Sequence, residues 1–136
     1  MKLRLILTSY LLAAAALPGA EIKVIANPAV AIAAISPEDL KGVFLATKSS
    51  VGGASVEPVM LKGGAVHQEF LKEYVGKTEA ALGTYFRSLV FTGKGSMPKT
   101  LGSDSEVVAY VGKTKGAIGY VGADAATAGV KTLDVK

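Results

Sequence analysis

The sequence predicts an α/β fold, a small mixed sheet flanked by about four helices. Three observations predict it. Short stretches with strand-like alternation are interleaved with segments of helical period. Most of the helical segments open on a residue that can cap them. Finally, 136 residues that are 50% hydrophobic and 19% charged suit one domain with a modest core rather than a disordered chain.

The first twenty residues are expected to stand outside the fold. Lys2 and Arg4 precede an apolar run from Leu5 to Leu17, and Pro18-Gly19-Ala20 follows. This is the pattern of a secretory signal peptide, and the run is shorter than the ~20 residues that span a bilayer. Cleavage after Ala20 would place Pro18 at an unusual position, so a cut near Ala16 is the alternative. Residues 21–136 are then the working domain, periplasmic or secreted, with no membrane span once the signal is removed. The chain has no cysteine, which excludes a lipid-anchored cysteine, a disulfide and a thiolate nucleophile.

The leader also inflates the charge. The full chain has 15 basic and 11 acidic residues; without Lys2 and Arg4 the balance is 13 to 11, or +2. No cluster of Lys or Arg interleaved with aromatics is present, so no nucleic-acid partner is expected.

Along the domain, Glu21 to Ala26 alternates as a strand and stops at the turn pair Asn27-Pro28. A helix follows with Ser36 as N-cap, Pro37 in first position and Asp39 where a capping acid belongs; Leu40, Val43 and Phe44 share its apolar face. Thr47 to Gly53 reads as a loop. Val56 to Leu61, broken by Pro58, reads as a strand near a sheet edge. Gly64 to Val75 and Thr78 to Val90 read as two helices, the first ending at Gly76 and the second carrying Leu82, Tyr85, Phe86 and Leu89 on one side. Phe91 to Lys99 is a Gly- and Pro-punctuated loop. Ser103 to Glu106 is a capping box for a further helix. Gly116 to Val121, "GAIGYV", and Val130 to Val135 close the chain as strands.

Four segments in this order resemble the phosphate ABC-transporter substrate-binding proteins, which are type II periplasmic binding proteins. They are "SPEDLKGVFLATK", "EPVMLKGGAVHQEFLKEY", "YFRSLVFTGKGSMPK" and "GAIGYV", spread over most of residues 22–121. Ala46 and Thr47 blur the Gly-Lys that such a family helix leads into, whereas Phe91–Gly95 and Gly116–Val121 match intact. The resemblance implies a single periplasmic-binding-protein-like lobe, since a full member has two lobes and roughly twice the length. It also implies a solute-binding function without an enzymatic step, a small oxyanion such as phosphate as ligand, and an ABC-transporter or sensor partner. Two copies could pair to complete the half-cleft.

The segment that would hold the anion is Lys62, Gly63, Gly64, Ala65, Val66 and His67. A glycine turn running into a helix offers unpaired amides and a favourable dipole, worth ~0.3–1 kcal/mol to an anion. In the family the equivalent turn resembles Gly-Ser-Gly-Thr-Arg; here Gly64 and Val66 lack the hydroxyls and His67 stands at the arginine position. Each charge-assisted hydrogen bond is worth roughly 1.5–3 kcal/mol, so losing two weakens binding by about a hundredfold to ten-thousandfold. His67 is either a pH-dependent anion donor or a half-buried histidine with a satisfied hydrogen bond; its place on the apolar arc with Phe70 and Leu71 favours the second.

Other candidates are weaker. No second His and no Cys exist to share a metal with His67, and no Gly-x-Ser-x-Gly elbow exists to use it in hydrolysis, so neither a cofactor nor an enzyme is expected. Arg87 points away from the apolar stripe of its helix, and Lys94 sits alone in a glycine loop. Gly112-Lys113-Thr114 lacks the upstream glycine of a phosphate loop, because Val107 occupies that place. The alternative to solute binding is a degenerate lobe kept as a sensor or protein-interaction module without a small-molecule ligand.

Overall fold

The computed structural model describes residues 21–136; the expected signal segment lies outside them. Strand β1, Ile22–Ala26, ends at Asn27. The buried Asn27 amide donates to the carbonyls of Val111 (2.8 Å) and Gly112 (3.2 Å), so the turn after β1 caps a helix 84 residues later. A two-residue strand, β2 (Ala34–Ile35), leads into α1 (Pro37–Phe44). The Ser36 hydroxyl accepts from the Asp39 amide at 3.1 Å, as the sequence predicts. The Asp39 carboxylate, however, pairs with Lys48 beyond the helix, and that hydrogen bond holds its pKa below the usual value.

The segment predicted as a loop at 47–53 instead holds the first strand and the turn of a hairpin, β3 (Ser50–Val51) pairing with β4 (Ala54–Ser55) just beyond it. Gly52 and Gly53 make its turn with φ of 59° and 81°, the positive values that the type I′ two-residue hairpin loop needs at both central positions. Strand β5 is Glu57–Leu61. Pro58 fits because the Glu57 amide bonds toward the neighbouring Gly116, so the missing N–H of Pro58 faces the other side, where pairing starts only at Val59.

Helix α2, Ala65–Phe70, continues as one π-helical turn over Leu71–Val75, where the sequence predicts an unbroken helix; Gly76 closes it with φ 72° and an amide bond to the Leu71 carbonyl. Helix α3 is Glu79–Phe91, capped by Thr78. The loop predicted to reach Lys99 ends one residue earlier, because Lys99–Leu101 forms strand β6 against β5. Helix α4, Asp104–Lys113, has Ser103 as N-cap, while the Glu106 carboxylate reaches back to the Gly102 amide at 2.8 Å rather than to Ser103 itself. Strands β7 (Ala117–Gly122) and β8 (Lys131–Val135) complete the chain.

Six strands form one mixed sheet in the order β2-β8-β1-β7-β5-β6, with β5, β6 and β7 parallel and β1 antiparallel to β7. Every residue of β7 is buried. Gly119 lets α4 approach closely: a methyl there would meet Val107 at 2.9 Å and Val111 at 3.3 Å. On the centre of the sheet sits an aromatic group, with Phe70 stacked on Tyr120 (centroids 3.7 Å apart) and Phe44 edge-on to both. No described helix is long and apolar enough to cross a membrane.

Candidate functional site

Because β5, β6 and β7 run in parallel, their carboxyl ends share one edge of the sheet. Three chain segments turn into helices or loops there: Lys62–Gly64 before α2, Gly102–Ser103 before α4, and Ala123–Ala126 after β7. This edge is where ligands bind in open α/β sheets, since helix amino ends and loop amides converge on it.

Lys62, Gly63, Gly64 and Ala65 are exposed, Val66 is half-buried and His67 is buried. The Lys62 amide donates to the Leu101 carbonyl at 2.9 Å, which ties the loop to β6. Gly64 is the N-cap of α2, with φ 96° and ψ 174°, and no side chain caps that helix end. That backbone conformation is essentially restricted to glycine. Space around both Gly63 and Gly64 is open, with no atom within 4 Å of where a Cβ would stand. The structure therefore groups residues 62–65 on one exposed turn, with Val66 half-buried beside it and His67 behind.

His67 is 4% exposed. Its Nδ1 shares a hydrogen bond with the Tyr120 hydroxyl, which also accepts the Leu61 amide at 3.2 Å. A hydroxyl that accepts from Leu61 has its hydrogen left for Nδ1, so the neutral tautomer with hydrogen on Nε2 fits this pattern. Nε2 then faces the Glu79 carboxylate at 4.0 Å. Burial holds the imidazole below its ordinary pKa, with Glu79 opposing, and burial raises the Tyr120 phenol. The satisfied-hydrogen-bond alternative for His67 is thus the geometry found. Tyr120 was invisible as its partner in the sequence, lying 53 residues away inside what reads as a plain core strand.

Beside the turn, Val66 forms part of a hollow of about 500 Å³ with Glu21, Asp104, Asp124, Ala125 and Ala126. Asp104 accepts the Gly122 amide at 3.2 Å, and the other two carboxylates are exposed. This acidic neighbourhood leaves no trace in the sequence, because residues 21, 104 and 124 meet only through the sheet. Among the described residues no group of three or more His, Cys, Asp or Glu side chains could hold a metal ion. Arg87 is exposed on α3 and, among the described residues, its side chain bonds Thr84, while Lys94 lies in the loop leading to the amino end of β6, away from the turn.

No family model matches the sequence, and no curated protein matches it. Solved structures do. PstS from Borrelia burgdorferi is 20% identical with a TM-score of 0.63, the match covering 86% of this chain and 47% of that one. A Clostridium perfringens protein assigned to the phosphate ABC transporter substrate-binding proteins, solved with bound phosphate, is 14% identical with a TM-score of 0.65, covering 85% and 45%. An ABC-type phosphate transport receptor from Vibrio cholerae is 15% identical with a TM-score of 0.57, covering 84% and 45%. The chain spans a little under half the length of each. It therefore has the α/β fold of these phosphate-transport binding proteins, as a single lobe.

Proposed function

We propose that the protein is an extracytoplasmic solute-binding protein of the phosphate-binding type that holds a small oxyanion weakly at the turn Lys62–Val66. The observation that carries this reading is the uncapped amino end of α2 at Gly64, open to solvent beside Lys62 on the carboxyl edge of the sheet. Backbone N–H groups of Gly64, Ala65 and Val66 would donate to the anion and Lys62 would supply the charge. His67 would act from behind, bracing the turn through Tyr120 rather than touching the ligand. Binding by amides and one lysine suits millimolar affinity, far short of a full set of charge-assisted bonds.

One observation favours a second reading. Glu21, Asp104 and Asp124 beside Val66 disfavour an anion by like charge, which suits a lobe retained for protein contacts without a ligand. Calorimetric titration with phosphate, sulfate and molybdate at pH 5.5 and 7.5 separates the two. The first expects weak heat with at least one oxyanion and no tightening from His67 at pH 5.5. Absence of heat at millimolar oxyanion removes it.

A further inference from the structure

The large exposed hydrophobic side chains among the described residues are Val90 (50%), Phe91 (92%) and Met97 (56%), all within eight positions at the end of α3 and in the loop after it. The chain carries no Asp or Glu between Glu79 and Asp104, while Arg87, Lys94 and Lys99 fall in that interval. This stretch is an apolar tongue that carries only basic charge, on a domain whose net charge elsewhere is close to balanced. Single exposed apolar residues need no explanation, but a cluster fringed by one sign of charge marks a contact surface.

Met97 turns back toward Leu61, Lys62 and His67, but Phe91 and Lys94, the tip of the tongue, lie at the opposite end of the sheet from the acidic hollow. Residues 92–98 lead into the amino end of β6, whereas the hollow sits past the carboxyl end of β7, parallel to β6 through β5. Helix α3 spans the distance: it begins at Glu79 near His67 and, at 1.5 Å per residue, delivers Phe91 about 20 Å away. One surface is apolar and basic; the other is a concavity of about 500 Å³ with Val66, Ala125 and Ala126 among three carboxylates.

We propose that these two surfaces are each other's partners, so that Phe91 and Lys94 of one copy enter the Glu21–Asp104–Asp124 hollow of a second copy. Because the surfaces are different and lie at opposite ends, the contact is heterologous, and association continues beyond a dimer unless a ring closes. The entering Lys94 would also offset the carboxylates beside Gly64 of the copy that receives it. The contact itself needs no anion, so it stands or falls separately from the oxyanion site.

Sedimentation and light scattering of the purified protein, with no oxyanion present, test it. The average mass is expected to rise with protein concentration and to fall back toward the monomer in high salt. A tongue variant, Phe91→Ser with Lys94→Glu, and a hollow variant, Asp124→Lys, are each expected to stay monomeric. All three positions are exposed, and circular dichroism is the check that each variant folds. Mixing the two variants is the decisive arm. Each retains the half the other lacks, so a dimer that grows no further is expected. A protein monomeric at all concentrations overturns the proposal, as does a mixture that remains monomeric. Binding of the wild-type tongue to vesicles of anionic lipid without self-association also overturns it, assigning the patch to a membrane surface.

Discussion

Tyr120 and His67 share a hydrogen bond inside the domain, and through it the core strand β7 holds the turn that faces the carboxyl edge of the sheet. The same hydroxyl accepts the Leu61 amide, so one oxygen joins the end of β5, the start of α2 and the centre of β7. Replacing Tyr120 by Phe keeps the ring stacked on Phe70 but removes that oxygen. Two buried partners lose their bond, and the expected cost is about 1–3 kcal/mol. Urea unfolding measures it; an unchanged midpoint would show that the bond contributes nothing net.

Acid should weaken the domain through His67. Burial depresses the folded imidazole below the ordinary value of 6.5, so the unfolded chain takes up this proton first as pH falls. Stability from this group is complete above pH 6.5 and declines as pH drops through 6.5 toward the lower folded value, where the difference levels off. Melting temperatures across that window should fall in the wild type, and the slope should flatten in His67→Gln. Equal slopes in the two proteins would refute the assignment.

How much was legible in the sequence follows from how local each feature is. Ser36, Thr78 and Ser103 cap helices through residues three positions away, and such caps show in any short window. Lys99–Leu101 becomes a strand only because Val59–Leu61 lies beside it, and three residues carry too little periodicity to announce that. The hairpin at 50–55 had a usable signal in Gly52-Gly53, but its strands are two residues each. At the site, the glycine turn and the missing hydroxyls were readable. The Tyr120 bond and the acidic hollow were not, because their members meet only after the sheet has formed.

Gly119 tests how tightly the sheet and α4 are packed. A methyl at this position would approach Val107 to 2.9 Å and the Val59 carbonyl to 3.4 Å, and both lie in the core. Gly119→Ala should destabilise by about 1–3 kcal/mol through overpacking, even though alanine suits a strand better than glycine. Thermal unfolding decides, and a neutral or stabilising result would mean that α4 can shift outward freely.

Restoring a hydroxyl to the turn must take the backbone into account. At Gly64 a serine would bring back the oxygen at the position where the resembled family carries one. With φ at 96° and ψ at 174° it would cost about 1–3 kcal/mol of backbone strain, although nothing stands in the way of its Cβ. Ala65 is different: it is the first residue of α2, already helical and exposed. Ala65→Ser therefore adds a donor beside the same amides without that strain. If the oxyanion rests on this turn, Ala65→Ser should tighten phosphate binding by about tenfold, the worth of one modest hydrogen bond, at nearly unchanged stability. Gly64→Ser should lower the unfolding midpoint whatever it does to binding. An affinity that ignores Ala65→Ser, and equally ignores Lys62→Ala, would place the anion away from the amino end of α2.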